Sequence, residues 1–137
     1  MNIVLDTNII LQVAFTEKPL KFVWDKLLTG AYTLYVTEDI LCEYQEKIID
    51  CFHNELLANV FVNVLVNCPY VKRIETFFRY DLIKQDPDDN KFVDCALACN
   101  AKYIVTEDTH FAELKNIPFP KVDILSLEEF AKILATH

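Results

Sequence analysis

The stretch DPDDNKFVDCALACNAKYIVTED, Asp86 to Asp108, decides how the chain folds. Asp86 before Pro87 reads as a helix N-cap with proline at the first helical position, where a missing N–H costs nothing. The helix it opens runs to about Cys99, with acids confined to its first turns and Asp94, and the smooth Ala96-Leu97-Ala98 run behind them. Tyr103–Thr106 then reads as a short β-rich strand that ends in Glu107-Asp108. A helix feeding a buried strand that stops at an acid is one unit of an α/β fold.

The same alternation extends outward in both directions. Asn2–Leu5 is a continuous apolar run that breaks at Asp6-Thr7-Asn8. Ile9–Phe15 and Leu20–Leu28 read as helices, the second carrying Leu20, Val23, Trp24, Leu27 and Leu28 at helical spacing before Gly30 ends it. Tyr32–Val36 is a second strand, and Thr37 caps a helix to about Asp50 with Glu38 and Asp39 in its first turn. Asn54–Asn67 is apolar around most of its girth, with Asn59 and Asn63 in a narrow polar stripe. Such a helix reads as buried, or as a contact between subunits. Residues 68–85 give no clear pattern. Asp108–Leu114 reads as a short helix, Val122–Leu125 as a last strand, and Ser126-Leu127-Glu128-Glu129 as a capping box for a final helix through Ala135. The expectation is an α/β fold, a three-layer α/β/α sandwich with a central parallel sheet, formed by residues 1–137 as a single domain.

Composition narrows the function. A chain of 137 residues, 53% hydrophobic, can bury a sizeable core. Its lone glycine, Gly30, excludes phosphate-binding loops that need several close backbone approaches. Thirteen bases against twenty-one acids give a net charge of −8, which argues against holding nucleic acid by bulk electrostatics. Met1-Asn2-Ile3-Val4-Leu5-Asp6 has no basic leader, and Leu56–Val66 is too short to span a bilayer. A cytoplasmic protein away from membranes is expected, with its five cysteines reduced and mostly buried. Cys95/Cys99 and Cys51 near His53 suggest zinc only weakly, because no second paired element accompanies them.

The carboxylates carry the chemical signal. In parallel α/β sheets, sites form at the carboxyl ends of strands. Asp6 and Asp108 follow the first and third strands, Asp89 stands at a helix start leading into the third, and Glu43 lies at the edge of the stripe Ile40, Leu41, Tyr44, Ile48. Singly, each has a plain alternative, since acids at helix starts also cap and favour the dipole. Jointly, four acids from separate segments can converge at one rim. Converging carboxylates repel unless a cation is present, and an oxygen-rich cluster suits Mg²⁺ or Mn²⁺. Such ions activate water for phosphodiester cleavage without a nucleophilic serine or cysteine.

Ile3-Val4-Leu5-Asp6-Thr7-Asn8, Glu43, Asp86-Pro87-Asp88-Asp89-Asn90-Lys91-Phe92, Ala96 and Tyr103-Ile104-Val105-Thr106-Glu107-Asp108 together resemble the PIN-domain ribonucleases. The branch that resembles this chain most is that of toxin components of prokaryotic toxin–antitoxin systems. The resemblance spans nearly the whole chain. It implies a PIN-like fold and Mg²⁺- or Mn²⁺-dependent endonucleolytic hydrolysis of single-stranded RNA. It implies that Asp6, Asp89 and Asp108 hold the ion, that Glu43 binds it or orients the attacking water, and that Asn8 and Thr106 orient carboxylates or metal-bound water. It also implies a small antitoxin partner and a homodimer, for which the helix at 54–67 is the candidate surface. Asp86, Asp88 and Asp94 are neighbours without an assigned role, Asp86 reading as a cap. Where relatives often carry glycine, this chain has Asn100 and Glu107. Asparagine tolerates a left-handed backbone, whereas Glu107 adds a negative charge beside the site.

Other readings fit less well. A phosphatase with Asp6 as nucleophile wants an acid two residues on, where Asn8 stands. A PIN-like binding or assembly module that has lost activity is the alternative from another class, and the presence of all four acids gives no sign of it. Lys72, Arg73, Arg79, Lys84 and Lys91 form either an RNA-tracking rim or, because Glu75, Asp81, Asp86, Asp88 and Asp89 share the segment, a solvated loop. The solvated loop is preferred. Four acids committed to one metal pocket also explain part of the −8 charge.

Overall fold

The computed structural model describes residues 1–16, 20–84, 86–118 and 120–136. Among them, β1 (Asn2–Leu5), β2 (Thr33–Val36), β3 (Val71–Arg73), β4 (Tyr103–Val105) and β5 (Asp123–Leu125) form one sheet in the order β3-β2-β1-β4-β5. All pairings are parallel, with Ile3 beside Leu34 on one side and beside Tyr103 on the other. The helices flanking it are α1 (Thr7–Phe15), α2 (Lys21–Leu28), α3 (Glu38–Phe52), α4 (Glu55–Asn67), α5 (Asn90–Ala98) and α6 (Leu127–Ala135). The expected three-layer α/β/α sandwich is what forms.

The central strand explains the arrangement. Ile3, Val4 and Leu5 have no exposed surface, as a strand covered on both faces requires. The chain steps from β1 out to β2 and β3, then returns to place β4 on the other side of β1. That reversal opens a crevice between β1 and β4 at their carboxyl ends. Tyr44 closes the core beneath it: the ring is fully buried and its hydroxyl donates to the Leu5 carbonyl at 2.6 Å.

Local chemistry matches the sequence at most element ends. Thr37 Oγ1 accepts from the Ile40 N–H, Asn54 Oδ1 from the Leu57 N–H, and Ser126 with Glu129 forms a reciprocal capping box. Gly30 follows α2 at φ 85°, where a Cβ would stand 2.7 Å from the Tyr70 ring. Asn100 adopts φ 53°, the left-handed backbone expected of it.

Four readings are corrected. The unread stretch contains β3, whose Lys72 pairs beside Tyr35 (Gln85, its last residue, lies outside the described residues). The segment after Asp108 is a 3-10 helix, Thr109–Asn116, and Pro87–Asp89 is a 3-10 turn that precedes α5. Helix α4 is not buried: Ala58, Phe61 and Leu65 face the core, while Leu56 is 72% and Val60 51% exposed. The cysteines are not mostly buried either, because Cys42 and Cys51 are exposed and only Cys95 is fully covered.

Candidate active site

Asp6 begins the site. Its N–H continues the sheet by donating to Val105 O, so the residue stays in register just beyond β1. One carboxylate oxygen accepts from the Thr7 N–H at 2.7 Å, which starts α1. The other accepts from the Thr106 hydroxyl at 2.8 Å. Thr106 Oγ1 in turn accepts from the Asp108 N–H at 3.0 Å. The ends of β1 and β4 are thereby joined through side chains. Burial holds the Asp6 carboxyl above its usual range against the lowering effect of those bonds, and Glu43 and Asp108 push in the same direction.

Glu43 reaches the same rim from α3. The Thr7 hydroxyl donates to Glu43 Oε2, and Lys91 Nζ donates to Oε1 at 2.7 Å. Both side chains of that ion pair are largely covered. Burial works to lower the lysine, but the Glu43 contacts prevail and hold it above its usual range. Asn8 lines the cleft with an exposed side chain, together with Asp6, Gln12, Cys51, Glu107 and Asp108; the cleft measures about 410 Å³.

Asp89 differs from the other helix-start acids. Asp6 caps α1, and Asp108 Oδ1 accepts from the His110 N–H at 2.9 Å, but Asp89 caps nothing with its side chain. Its Oδ2 is buried without a hydrogen-bond partner among the described residues. Burial, with Asp108, Asp86 and Asp6 close by, pushes its carboxyl up to about 7. The capping explanation therefore covers Asp6 and Asp108 in part and does not cover Asp89.

His110 is the residue that sequence reasoning missed. Its Nδ1 lies 3.3 Å from Asp108 Oδ1, 3.6 Å from Asp89 Oδ2 and 3.9 Å from Asp86 Oδ2, and has no hydrogen-bond partner among the described residues. Asp86, Asp89 and His110 offer donor atoms that all lie within 4.8 Å of one another; no other such group occurs among the described residues. Asp86 is thus both a cap, accepting from the Asp88 N–H, and a neighbour of the acidic pocket. The available signal was the position of His110, two residues after Asp108 in the turn that follows β4.

The remaining acids serve the scaffold. Glu107 Oε1 accepts from the Leu127 N–H at 2.8 Å, at the start of α6. Asp94 Oδ1 accepts from the Tyr80 N–H. Two buried atoms without hydrogen bonds, beside carboxylates that raise Asp89, form a donor set that fits a hard divalent cation.

A parallel α/β sheet with carboxylates gathered at the carboxyl ends of its two middle strands defines a class of acidic-site domains. The family model for the PIN domain matches residues 2–110, and the chain belongs to that family. The crystal structure of VapBC2 from Rickettsia felis, bound to a DNA fragment from its promoter, shares the fold: the TM-score is 0.63 at 18% identity, over 92% of this chain and 98% of that one. No curated protein matches the chain in sequence.

Proposed function

We propose that the protein is a Mg²⁺- or Mn²⁺-dependent endoribonuclease acting on single-stranded RNA. The observation that carries this reading is the buried Asp89 Oδ2, which has no hydrogen bond among the described residues and faces His110 Nδ1 at 3.6 Å, with Asp108 and Asp86 close by. A carboxylate left unsatisfied among like charges costs free energy unless a cation joins it. Membership of the PIN-domain family supports nuclease chemistry.

Asp6, Asp89 and Asp108 would hold the ion, with Asp86 and His110 completing the pocket. When bound, the ion lowers the pKa of water and stabilises the leaving oxygen. The chain's own residues set the stage for that chemistry. Thr106 orients Asp6, Thr7 and Lys91 hold Glu43, and Glu43 would orient the attacking water or accept its proton. Lys91 supplies a positive charge beside the acids where a phosphate would arrive.

The toxin reading draws its support from the VapBC2 likeness, which is one of fold. An antitoxin partner or a second copy of the chain fits the exposed apolar face of α4. No helix of the described residues is long and apolar enough to cross a membrane; a cytoplasmic setting is part of the proposal. Calorimetric titration with Mn²⁺ tests the site itself: saturable binding that is lost in Asp89→Asn supports the nuclease, and no saturable binding favours an inactive PIN-like module.

A further inference from the structure

The segment after β3 exposes aromatic rings in a way that core packing does not explain. Phe77 is 83%, Phe78 71% and Tyr80 41% exposed, with Phe78 and Tyr80 ring centroids 6.3 Å apart. Their backbone is nevertheless anchored. Asp94 accepts from the Tyr80 N–H at 3.1 Å, and the buried Asn90 both accepts from the Ile83 N–H at 2.9 Å and donates to the Ile83 carbonyl at 3.0 Å. Two side chains of α5, the helix that Asp89 heads, therefore fix the strip that displays these rings.

Charge distinguishes this patch from the other exposed apolar surface. Residues 72–84 carry four bases, Lys72, Arg73, Arg79 and Lys84, against Glu75 and Asp81, in a chain whose net charge is −8; Arg73 is paired with Glu38 at 3.4 Å, and Arg79 stands between Phe78 and Tyr80 in the sequence. The outer face of α4 exposes aliphatic Leu56, Val60 and Val64, and residues 54–67 contain no base at all. Aliphatic surface without charge suits a protein partner. Exposed rings interleaved with cations suit unpaired bases and their phosphates, because every base has a face to stack and every linkage a charge to meet.

Position completes the case. A cleft of about 480 Å³ runs between this segment and the start of α5, where Arg79 and Lys91 stand among four acids, Asp39, Asp81, Asp88 and Asp94. Lys91 is the residue that holds Glu43. Lys91 thereby joins the cleft to the Glu43 side of the site.

We propose that residues 74–84 form a base-stacking platform, with Phe77 and Phe78 as its contacts, that feeds single-stranded RNA toward the acidic cluster. This rests on the ribonuclease reading and names how its substrate is gripped. The test is fluorescence anisotropy of a labelled single-stranded RNA of about 12 nucleotides, with the full chain in EDTA so that binding is read without cleavage. Phe77→Ala/Phe78→Ala is expected to weaken binding about tenfold or more, while Phe77→Tyr/Phe78→Tyr retains it and a duplex of the same sequence binds more weakly than the single strand. Unchanged affinity in the alanine variant overturns the platform, as does equal affinity for the duplex. A change in sedimentation with RNA affinity unchanged also overturns it, and marks the patch as a protein contact. Mn²⁺-dependent cleavage of the same RNA separates the two readings. Cleavage with an unaltered KM in the alanine variant removes the platform and leaves the nuclease. Ring-dependent binding without cleavage by the wild type leaves the platform and removes the nuclease.

Discussion

The Thr106 hydroxyl donates to Asp6 at 2.8 Å while accepting from the Asp108 N–H at 3.0 Å, so one side chain joins two acids from opposite ends of the chain. Thr106→Val keeps the shape and removes both bonds, leaving buried polar atoms unsatisfied. The expected loss is about 1–3 kcal/mol of stability, read by urea unfolding, together with weaker Mn²⁺ binding by calorimetry. A variant as stable as its parent would show that the hydroxyl has no such role.

Lys91 competes with any cation for Glu43, since its ammonium already occupies Oε1. Lys91→Met is therefore expected to tighten Mn²⁺ binding by about threefold to tenfold, the scale of a partly covered ion pair, while slowing RNA cleavage through loss of a charge facing phosphate. Weaker Mn²⁺ binding in this variant would mean that the lysine supports the metal site instead.

The pH dependence of stability follows from Asp89. Its carboxyl titrates at about 7 in the folded protein against 3.8 for the free side chain. The native state thus binds a proton that the unfolded chain releases. The resulting stability is full below about pH 4 and is lost as pH rises through 7. In EDTA, Tm should fall across that window, and Asp89→Asn should flatten the fall. Added Mn²⁺ should raise Tm more at pH 8 than at pH 5, because it binds the deprotonated acid. A flat wild-type profile in EDTA would contradict the crowding of carboxylates described above.

Asn90 holds Ile83 through two buried bonds. Asn90→Ala strands a backbone donor and acceptor and should cost about 2–4 kcal/mol. Hydrogen exchange at the Ile83 amide should accelerate by more than the global loss accounts for, since the anchoring of residues 74–84 is released locally.

Strands β1, β2 and β4 were legible because burial on both faces leaves apolar runs, and the acids after β1 and β4 were legible because strand ends are where polar residues gather. Strand β3 was not. Only three residues long and at the edge of the sheet, it is held by backbone bonds that leave no side-chain pattern: Val71 is half-buried and Lys72 and Arg73 are exposed. The outer face of α4 misled for a related reason, because an apolar residue declares no partner. His110 gave no pattern of its own, since a lone histidine gains meaning only when the chain folds it against Asp86, Asp89 and Asp108. Glu107 looked like a further site acid because its bond to α6 lies across a loop.

The most direct measurement is Mn²⁺-dependent cleavage of a single-stranded RNA by identically purified wild-type and Asp6→Asn proteins, with thermal melts to confirm that both are folded. Asp6 is held by Thr7 and Thr106 and feels the charges of Glu43 and Asp108, so cleavage should fall by about a hundredfold or more in a variant that still melts cooperatively. Undiminished cleavage by Asp6→Asn would contradict the assignment of this pocket as the active site.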